Sequence, residues 1–382
     1  MVGGYGVVGR RIAAHLAPWF PGRVVVAGRD EQKAGALCRK LGEGSRPRRV
    51  DLNDRASIDS ALEGIGTVMT CVAQQDRHLL RVSIERGLAY TDIAPELAFW
   101  QAAEELAMEA RRTGARILLG AGLTPGISNL MACRLANALG RVEHIETAIL
   151  LGLGDEYGPD SLSYVLGAVF ERWTVVEDGH PREAAAFSEG RKIEFPAPLG
   201  ARTAYLFPWS DVAYYPKTLG AKSALGRFAL EPVWAGRLIS ALAGTRMRDW
   251  LGRPGVLQKS GRVVERLGRL YAGHDRFALV VTAEGGGRIL RASLAGRHQA
   301  DATAAGAAEL CRALAAREIA EAGVWLPEQI VDHERFFGAL SSLGYEPTLE
   351  ACEARAFGPL RGSSQYPGKE SDGLPTPEDH GE

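Results

Sequence analysis

Short apolar runs alternate with amphipathic stretches over the first third of the chain. "RVVVAGRD" (23–30), "TVMTCVA" (67–73) and "ARILLGAG" (115–122) are rich in β-branched and aliphatic residues and close on turn formers, as buried strands do. "LAYTDI" (88–93) adds a further short strand, and "RRV" just before Asp51 another. Between them apolar positions recur at helical spacing over 31–41, 57–62, 78–86 and 98–112. Strand and helix in regular alternation predict an α/β fold, with a doubly wound parallel sheet covered on both faces.

The pattern changes after residue 140. "HIETAILLGLG", "RKIEFPA", "DRFALVVTAEG" and "GRILRASLAG" read as longer strands, the last two joined through glycines as a hairpin. They predict an inserted α+β domain with a mostly antiparallel sheet, and helices over 161–173 and 246–271. An Ala-rich amphipathic helix follows over 302–322, and a second over 334–343 returns to the first domain. The polar, Pro- and Gly-rich end, "GSSQYPGKESDGLPTPEDHGE", is expected to be a disordered tail. The expected division is 1–140, 141–300, 301–345 for the returning helices, and 360–382 for the tail. No internal repeat is visible.

The opening residues, "MVGGYGVVGRRIAAHL", place Gly4, Gly6 and Gly9 at G-x-G-x-x-G spacing, with Tyr5, Val7 and Val8 between them. Ile12, Ala13 and Leu16 then begin a helix. Such a turn brings backbone close to a pyrophosphate and aims a helix N-terminus at it. Only Met1, Val2 and Gly3 precede it, and the expectation is that the natural strand starts upstream of Met1. The next strand ends about 20 residues beyond the glycines, where a dinucleotide fold tests the adenosine ribose. Arg29 stands there, its planar fork suited to a 2′-phosphate, with Lys33 one helical turn on. NADP is therefore favoured over NAD, although Asp30 follows at once and a solvated Arg29 is the plain alternative. Asp51 sits where it would approach the adenine edge or merely cap a turn. Ala73 and Gln74 follow the strand expected beside the nicotinamide.

Composition narrows the class. At 382 residues the chain exceeds one ordinary core and suggests two domains. Lys+Arg of 45 against Asp+Glu of 46 leaves a net charge of -1, so no basic field points to nucleic acid. The five cysteines form no C-x-x-C pair, which argues against a zinc site or disulfide framework and for a reducing cytoplasm. His78, His274 and His298 have no metal-ligand spacing, and no metal is expected. No apolar run nears the roughly 20 residues of a membrane span. No P-loop or Ser-His-Asp arrangement is visible.

"ARILLGAGLTPGISNLMACRLANAL", with its strand, Gly-x-x-Pro-Gly turn and helix opening Ile-Ser-Asn, resembles the saccharopine dehydrogenase-like (saccharopine reductase) family. "AGRDEQKAGAL", "ERGLAYTDIAPE" and "GVWLPEQIVDHERFFGAL" resemble other segments of that family. The resemblance spans 2–343, strongest over the first 130 residues and thin from 155 to 274. It implies a Rossmann domain, an inserted substrate domain that often dimerises, and a C-terminal return. It also implies NAD(P)H-dependent formation or oxidation of a secondary amine through an imine, on an amino-acid or polyamine conjugate. The lysine-pathway enzymes carry a Cys where this chain reads Gly120, Ala121, Gly122, which argues against saccharopine itself.

Tyr90 and Asp92 lie at the carboxyl end of a parallel strand, where open α/β sheets place ligands, and are the expected proton-handling residues. For Asp92 the alternative is a helix cap before "APEL". Pro125 shapes a turn expected to line the cofactor, and Ser128 and Asn129 open the next helix toward a substrate carboxylate. Tyr157, beside Asp155 and Glu156, is expected to face the cleft, the two acids themselves reading as solvated. Tyr214 and Lys217 are one residue short of Tyr-x-x-x-Lys, and Pro216 argues against a helix interior; Tyr215 and Lys217 are kept as substrate contacts. The expected protein is a cytoplasmic homodimeric NADP(H)-dependent oxidoreductase acting on a C–N bond of a small molecule. The rivals are a reductase of an activated C=C or C=O, and an NADP-binding protein without turnover.

Overall fold

A computed structural model describes residues 1–42, 44–74, 76–169, 171–243 and 275–352. The helix expected over 246–271, His274 and the expected tail lie outside the described residues.

The first part alternates as the apolar pattern predicts: α1 (Val7–Trp19), β1 (Val25–Gly28), α2 (Glu31–Leu41), β2 (Arg46–Arg49), α3 (Arg55–Ala61), β3 (Thr67–Thr70), α4 (His78–Glu85), β4 (Ala89–Asp92), α5 (Leu97–Glu104), α6 (Ala107–Thr113), β5 (Arg116–Leu118) and α7 (Ile127–Leu139). The stretch expected as one helix over 98–112 is two, parted at Glu105 and Leu106. Strands β3, β4 and β5 pair in parallel, as do β1 and β2. Val2 joins the two groups by bridging Ala27 and Thr70 in parallel, so the residues before the glycine turn lie at the centre of the sheet.

Both faces of this sheet are covered. One carries Ile12, Leu16, Val26 and Met69 against Ala304, Ala307 and Ala308; the other carries Ile58, Leu79, Leu80, Tyr90, Trp100 and Ala110. The alanines belong to α11 (Gln299–Ala315), whose small side chains let it lie close against α1 and the sheet. That helix starts three residues earlier than expected and stops seven short of 322. Beyond it β14 (Gly323–Trp325) adds to the sheet beside β5, followed by α12 (Pro327–Ile330) and α13 (His333–Ser342).

The middle of the chain builds the second sheet: β6 (His144–Gly152), α8 (Pro159–Ala168), β7 (Arg172–Glu177), β8 (His180–Ala185), β9 (Arg191–Phe195), β10 (Gly200–Leu206), α9 (Ser210–Thr218), β11 (Ser223–Glu231), α10 (Val233–Ala243), β12 (Arg276–Gly285) and β13 (Arg288–Arg297). Its main path runs β15 (Thr348–Cys352), β13, β12, β6, β11, β10, β9, with β7 and β8 attached at β11. Only the β6–β11 pairing among these is parallel. The expected mostly antiparallel sheet is therefore present. The helix expected over 161–173 ends at Ala168, and Trp173 is in β7, where the alternating "RWTVVE" hairpins with β8.

A further correction concerns Pro216, which lies inside α9. It sits in the last turn of a nine-residue helix, where the missing N–H removes a single ladder bond before the helix ends. Among the described residues no helix is long and apolar enough to cross a membrane.

Candidate active site

The glycine turn is built for close approach. The Gly3 carbonyl accepts from Gly6 N at 2.9 Å, and a Cβ on Gly9 would stand 2.4 Å from that same oxygen. Helix α1 starts with no side chain capping it and no acidic residue in its first turn. Its uncapped N-terminus, with the first-turn amides around Val7 and Val8, therefore suits an anion. These features fit a dinucleotide pyrophosphate.

At the end of β1, Tyr5 lies across Gly28, where a Cβ would stand 2.5 Å from its ring, and the Tyr5 hydroxyl accepts from Asp30 N at 3.2 Å. Asp30 turns its carboxylate away to cap α2, accepting from Lys33 N at 3.0 Å, and pairs with Lys33 Nζ at 3.5 Å. Lys33 is thus engaged by Asp30, while Arg29 is exposed at the strand end. Asp51 is half-buried and accepts from Asn53 N at 3.1 Å, the turn role.

Tyr90 and Asp92 share one face of β4 and are fully buried. Gln74 Nε2 donates to the Tyr90 hydroxyl at 2.6 Å. Asp92 Oδ1 accepts from Gly120 N at 3.0 Å and from Ala94 N at 3.3 Å. Its Oδ2 is buried with no hydrogen-bond partner among the described residues. Burial raises the Asp92 pKa to about 7, against the opposing pull of the Gly120 amide, Tyr90 and the Ala94 amide. Asp92 is thus no simple helix cap, although it does hold the Ala94 amide.

Buried oxygens of Thr70, Gln74, Glu96 and Thr124 likewise lack partners among the described residues, and all follow or end strands of the parallel sheet on its carboxyl side. Burial also raises the Glu96 pKa. Carboxylates are the charges that act most on this pair: Glu96 on Asp92, and Asp160 on Glu96. Asp160, at the start of α8, accepts from Ala73 N at 3.0 Å. Glu96, Asp160 and Thr124 escaped the sequence reading, which took Asp92 alone from the "TDIAPE" segment.

The remaining expected contacts are engaged elsewhere. Ser128 and Asn129 are fully buried. Ser128 Oγ donates to Asp211 Oδ2 at 2.5 Å, and the Tyr215 hydroxyl donates to the same oxygen at 2.8 Å. Asn129 Nδ2 donates to Glu328 Oε2 at 2.7 Å, and Thr218 Oγ1 to Oε1 at 2.9 Å. These bonds join Ser128, Asn129 and Tyr215 into a buried polar knot tying α7, α9 and α12. Lys217 pairs on the surface with Glu104 at 2.7 Å, and Tyr157 donates to the Gly152 carbonyl at 2.8 Å. Pro125 packs beside Gly120 in the loop before α7. The Asp155 side chain is buried and accepts from Gln299 N, whereas Glu156 is exposed, as a solvated acid would be, and accepts from Arg10 and Arg11.

In this knot burial lifts the Glu328 pKa to about 7, and that of Asp211 also rises. A carboxyl whose folded pKa exceeds its unfolded value of about 4.3 lends stability that is full below that value and lost as pH rises through the folded one. The melting temperature should therefore fall between pH 5 and pH 8. Glu328→Gln, which keeps an acceptor for Asn129 and offers Thr218 a donor, should lessen that fall by several degrees. An unchanged slope in thermal melts across this range would rule the knot out as its source.

A glycine turn opening an uncapped helix at the centre of a parallel sheet, with a buried near-neutral carboxyl at its carboxyl edge, is the architecture of a dinucleotide-dependent oxidoreductase. Residues 1–118 match the family described as saccharopine dehydrogenase NADP binding domain. Over those residues the chain is similar to that family's NADP-binding domain. Its fold is that of apo saccharopine dehydrogenase (L-Glu forming) from Saccharomyces cerevisiae, with a TM-score of 0.66 at 14% identity over 92% of this chain and 99% of that one. Looser likenesses are GenD2 from gentamicin A biosynthesis in complex with NAD (TM-score 0.42, 13% identity, 92% and 95% covered) and a myo-inositol dehydrogenase from Corynebacterium glutamicum (0.39, 13%, 88% and 91%). No curated protein matches the sequence.

Proposed function

We propose that the protein is an NADP(H)-dependent oxidoreductase acting on a C–N bond, reducing an imine to a secondary amine or running the reverse. The observation that carries this reading is Asp92: a fully buried carboxyl with a pKa of about 7 and one unpartnered oxygen. A carboxyl so tuned holds a proton near neutrality and gives it up readily, as a general acid and base must. Its surroundings favour nitrogen over oxygen chemistry. The carboxyl of Glu96, which acts on Asp92, stabilises a cationic iminium or ammonium when ionised and does nothing comparable for a neutral carbonyl.

In this reading the turn at Gly4, Gly6 and Gly9, with Val7 and Val8, holds the pyrophosphate. Ala73, Gln74 and Pro125 wall the nicotinamide, which supplies or accepts the hydride when bound. Tyr90, held by Gln74, orients Asp92 and shares its proton. The parts meet between residues 1–140 and the inserted 141–300, closed by the returning segment 301–345.

The preference for NADP rests on Arg29, exposed at the strand end while Asp30 is turned into the α2 cap. Fluorescence titration should give tighter binding of NADPH than of NADH. Arg29→Ala should weaken NADPH about tenfold or more, the worth of a charged hydrogen-bonded pair, and leave NADH unchanged. Equal losses for both would place Arg29 away from the 2′-phosphate. Imines formed in solution from amines and oxoacids are the substrates to try first, and oxidation of NADPH by ketones alone would overturn the C–N assignment.

A further inference from the structure

The segment 152–160, from the last residue of β6 to the first turn of α8, crosses the front of the glycine turn. A Cβ on Gly158 would stand 4.0 Å from the Val7 Cβ, ordinary contact with no layer of atoms between. Glu156 Oε2 accepts from Arg10 Nη2 at 2.6 Å and from Arg11 Nη2 at 3.1 Å. Arg11 is held over the first turn of α1 by donating to the Val7 carbonyl at 2.7 Å, and its Nε donates to Asp301 of α11 at 2.5 Å. At the other end of the segment Asp160 occupies the Ala73 amide. Asp155 anchors the base, accepting from Gln299 N at 2.7 Å with His298 Nδ1 at 3.3 Å.

Two carboxylates from the second sheet's side thus hold the cation pair and the amide that border the turn. These groups have the donors that a pyrophosphate seeks, and an entering dinucleotide brings negative charge into contact with both acids. The dinucleotide and the segment compete for one place.

Building on the dinucleotide reading of this turn, we propose that Glu156 and Asp160 stand in for the cofactor's phosphates, and that binding exchanges them for the pyrophosphate at Arg10, Arg11 and the Ala73 amide. The 152–160 segment is then a strap that cofactor binding releases. Because Asp160 also faces Glu96 electrostatically, release changes the charge around Asp92 as the cofactor arrives.

Rapid mixing of the full-length protein with NADPH tests this, with thermal melts as the folding control. In wild type the observed rate should level off with NADPH concentration, because strap release limits it. Glu156→Gln and Asp160→Asn should raise the plateau and tighten NADPH about two- to fivefold, the range for partly exposed ion pairs. Arg10→Gln breaks the same pair but removes a phosphate partner, so it should weaken binding. A latch that only supports the fold would move Arg10→Gln and Glu156→Gln in the same direction, and that result overturns the proposal. So does a wild-type rate in Glu156→Gln, or weaker binding there, as expected if Glu156 closed over a bound cofactor. Failure of wild type to bind either NADPH or NADH overturns the dinucleotide reading and the strap with it; normal binding with unaltered variants overturns the strap alone.

Discussion

Asp92→Asn is expected to lower turnover by about 10²–10⁴-fold, the range for losing a general acid or base, while NADPH still binds. The amide keeps an oxygen for the Gly120 and Ala94 amides, so the strand end keeps its shape. What it loses is the titrating proton. Burial is the largest cause of the raised Asp92 pKa, so the sign in each direction is fixed by which form acts. Reduction needs the protonated carboxyl as donor, and kcat/KM should fall as pH rises through about 7. Oxidation needs the carboxylate, and its rate should rise through the same point. Turnover in Asp92→Asn within a few-fold of wild type, or pH limbs unmoved by the substitution, would take the proton from Asp92 and leave Tyr90 as the next residue to test.

The place of Asp92 in the fold was legible in the sequence because its signal is local. An apolar run that ends in a carboxylate, inside an alternating α/β series, places that carboxylate at the ligand edge of the sheet. The glycine turn was legible for the same reason, since close approach demands small residues at fixed spacing. The partners of Ser128 and Asn129 were not legible because they are distant: Asp211 lies 83 residues from Ser128, and Glu328 lies 199 from Asn129. Nothing near "TPGISN" signals that two acids far along the chain will be buried against it. Asp211 sits in "SDVAYYPK", where the tyrosines and lysine drew the chemical reading. The second sheet was half legible. Strands β6 and β12 are buried along nearly their whole length and read as apolar runs, whereas β8 and β10 carry mixed, partly exposed faces and were not found.

Gly9→Ala should abolish measurable dinucleotide binding and lower the melting temperature. The added Cβ would meet the Gly3 carbonyl oxygen at 2.4 Å and the Gly4 Cα at 2.9 Å. Those neighbours are backbone and cannot swing aside, so α1 must lift from the turn or the turn must open. Either movement reaches further than the site. The same turn carries Val2, whose backbone binds Met69 and Cys71 on one side, while Gly3 N binds the Ala27 carbonyl on the other. Displacing it loosens the join between β1 and β3, on which both halves of the parallel sheet depend. Gly35→Ala in α2 is the matched comparison, because the nearest atom to its new Cβ is 3.7 Å away. In a helix interior that change is expected to stabilise by up to about 1 kcal/mol and to spare NADPH binding. Loss of binding confined to Gly9→Ala would tie cofactor affinity to the close approach of α1 to the turn. Normal binding in Gly9→Ala would mean that the helix tolerates the shift, and that the pyrophosphate rests on other groups.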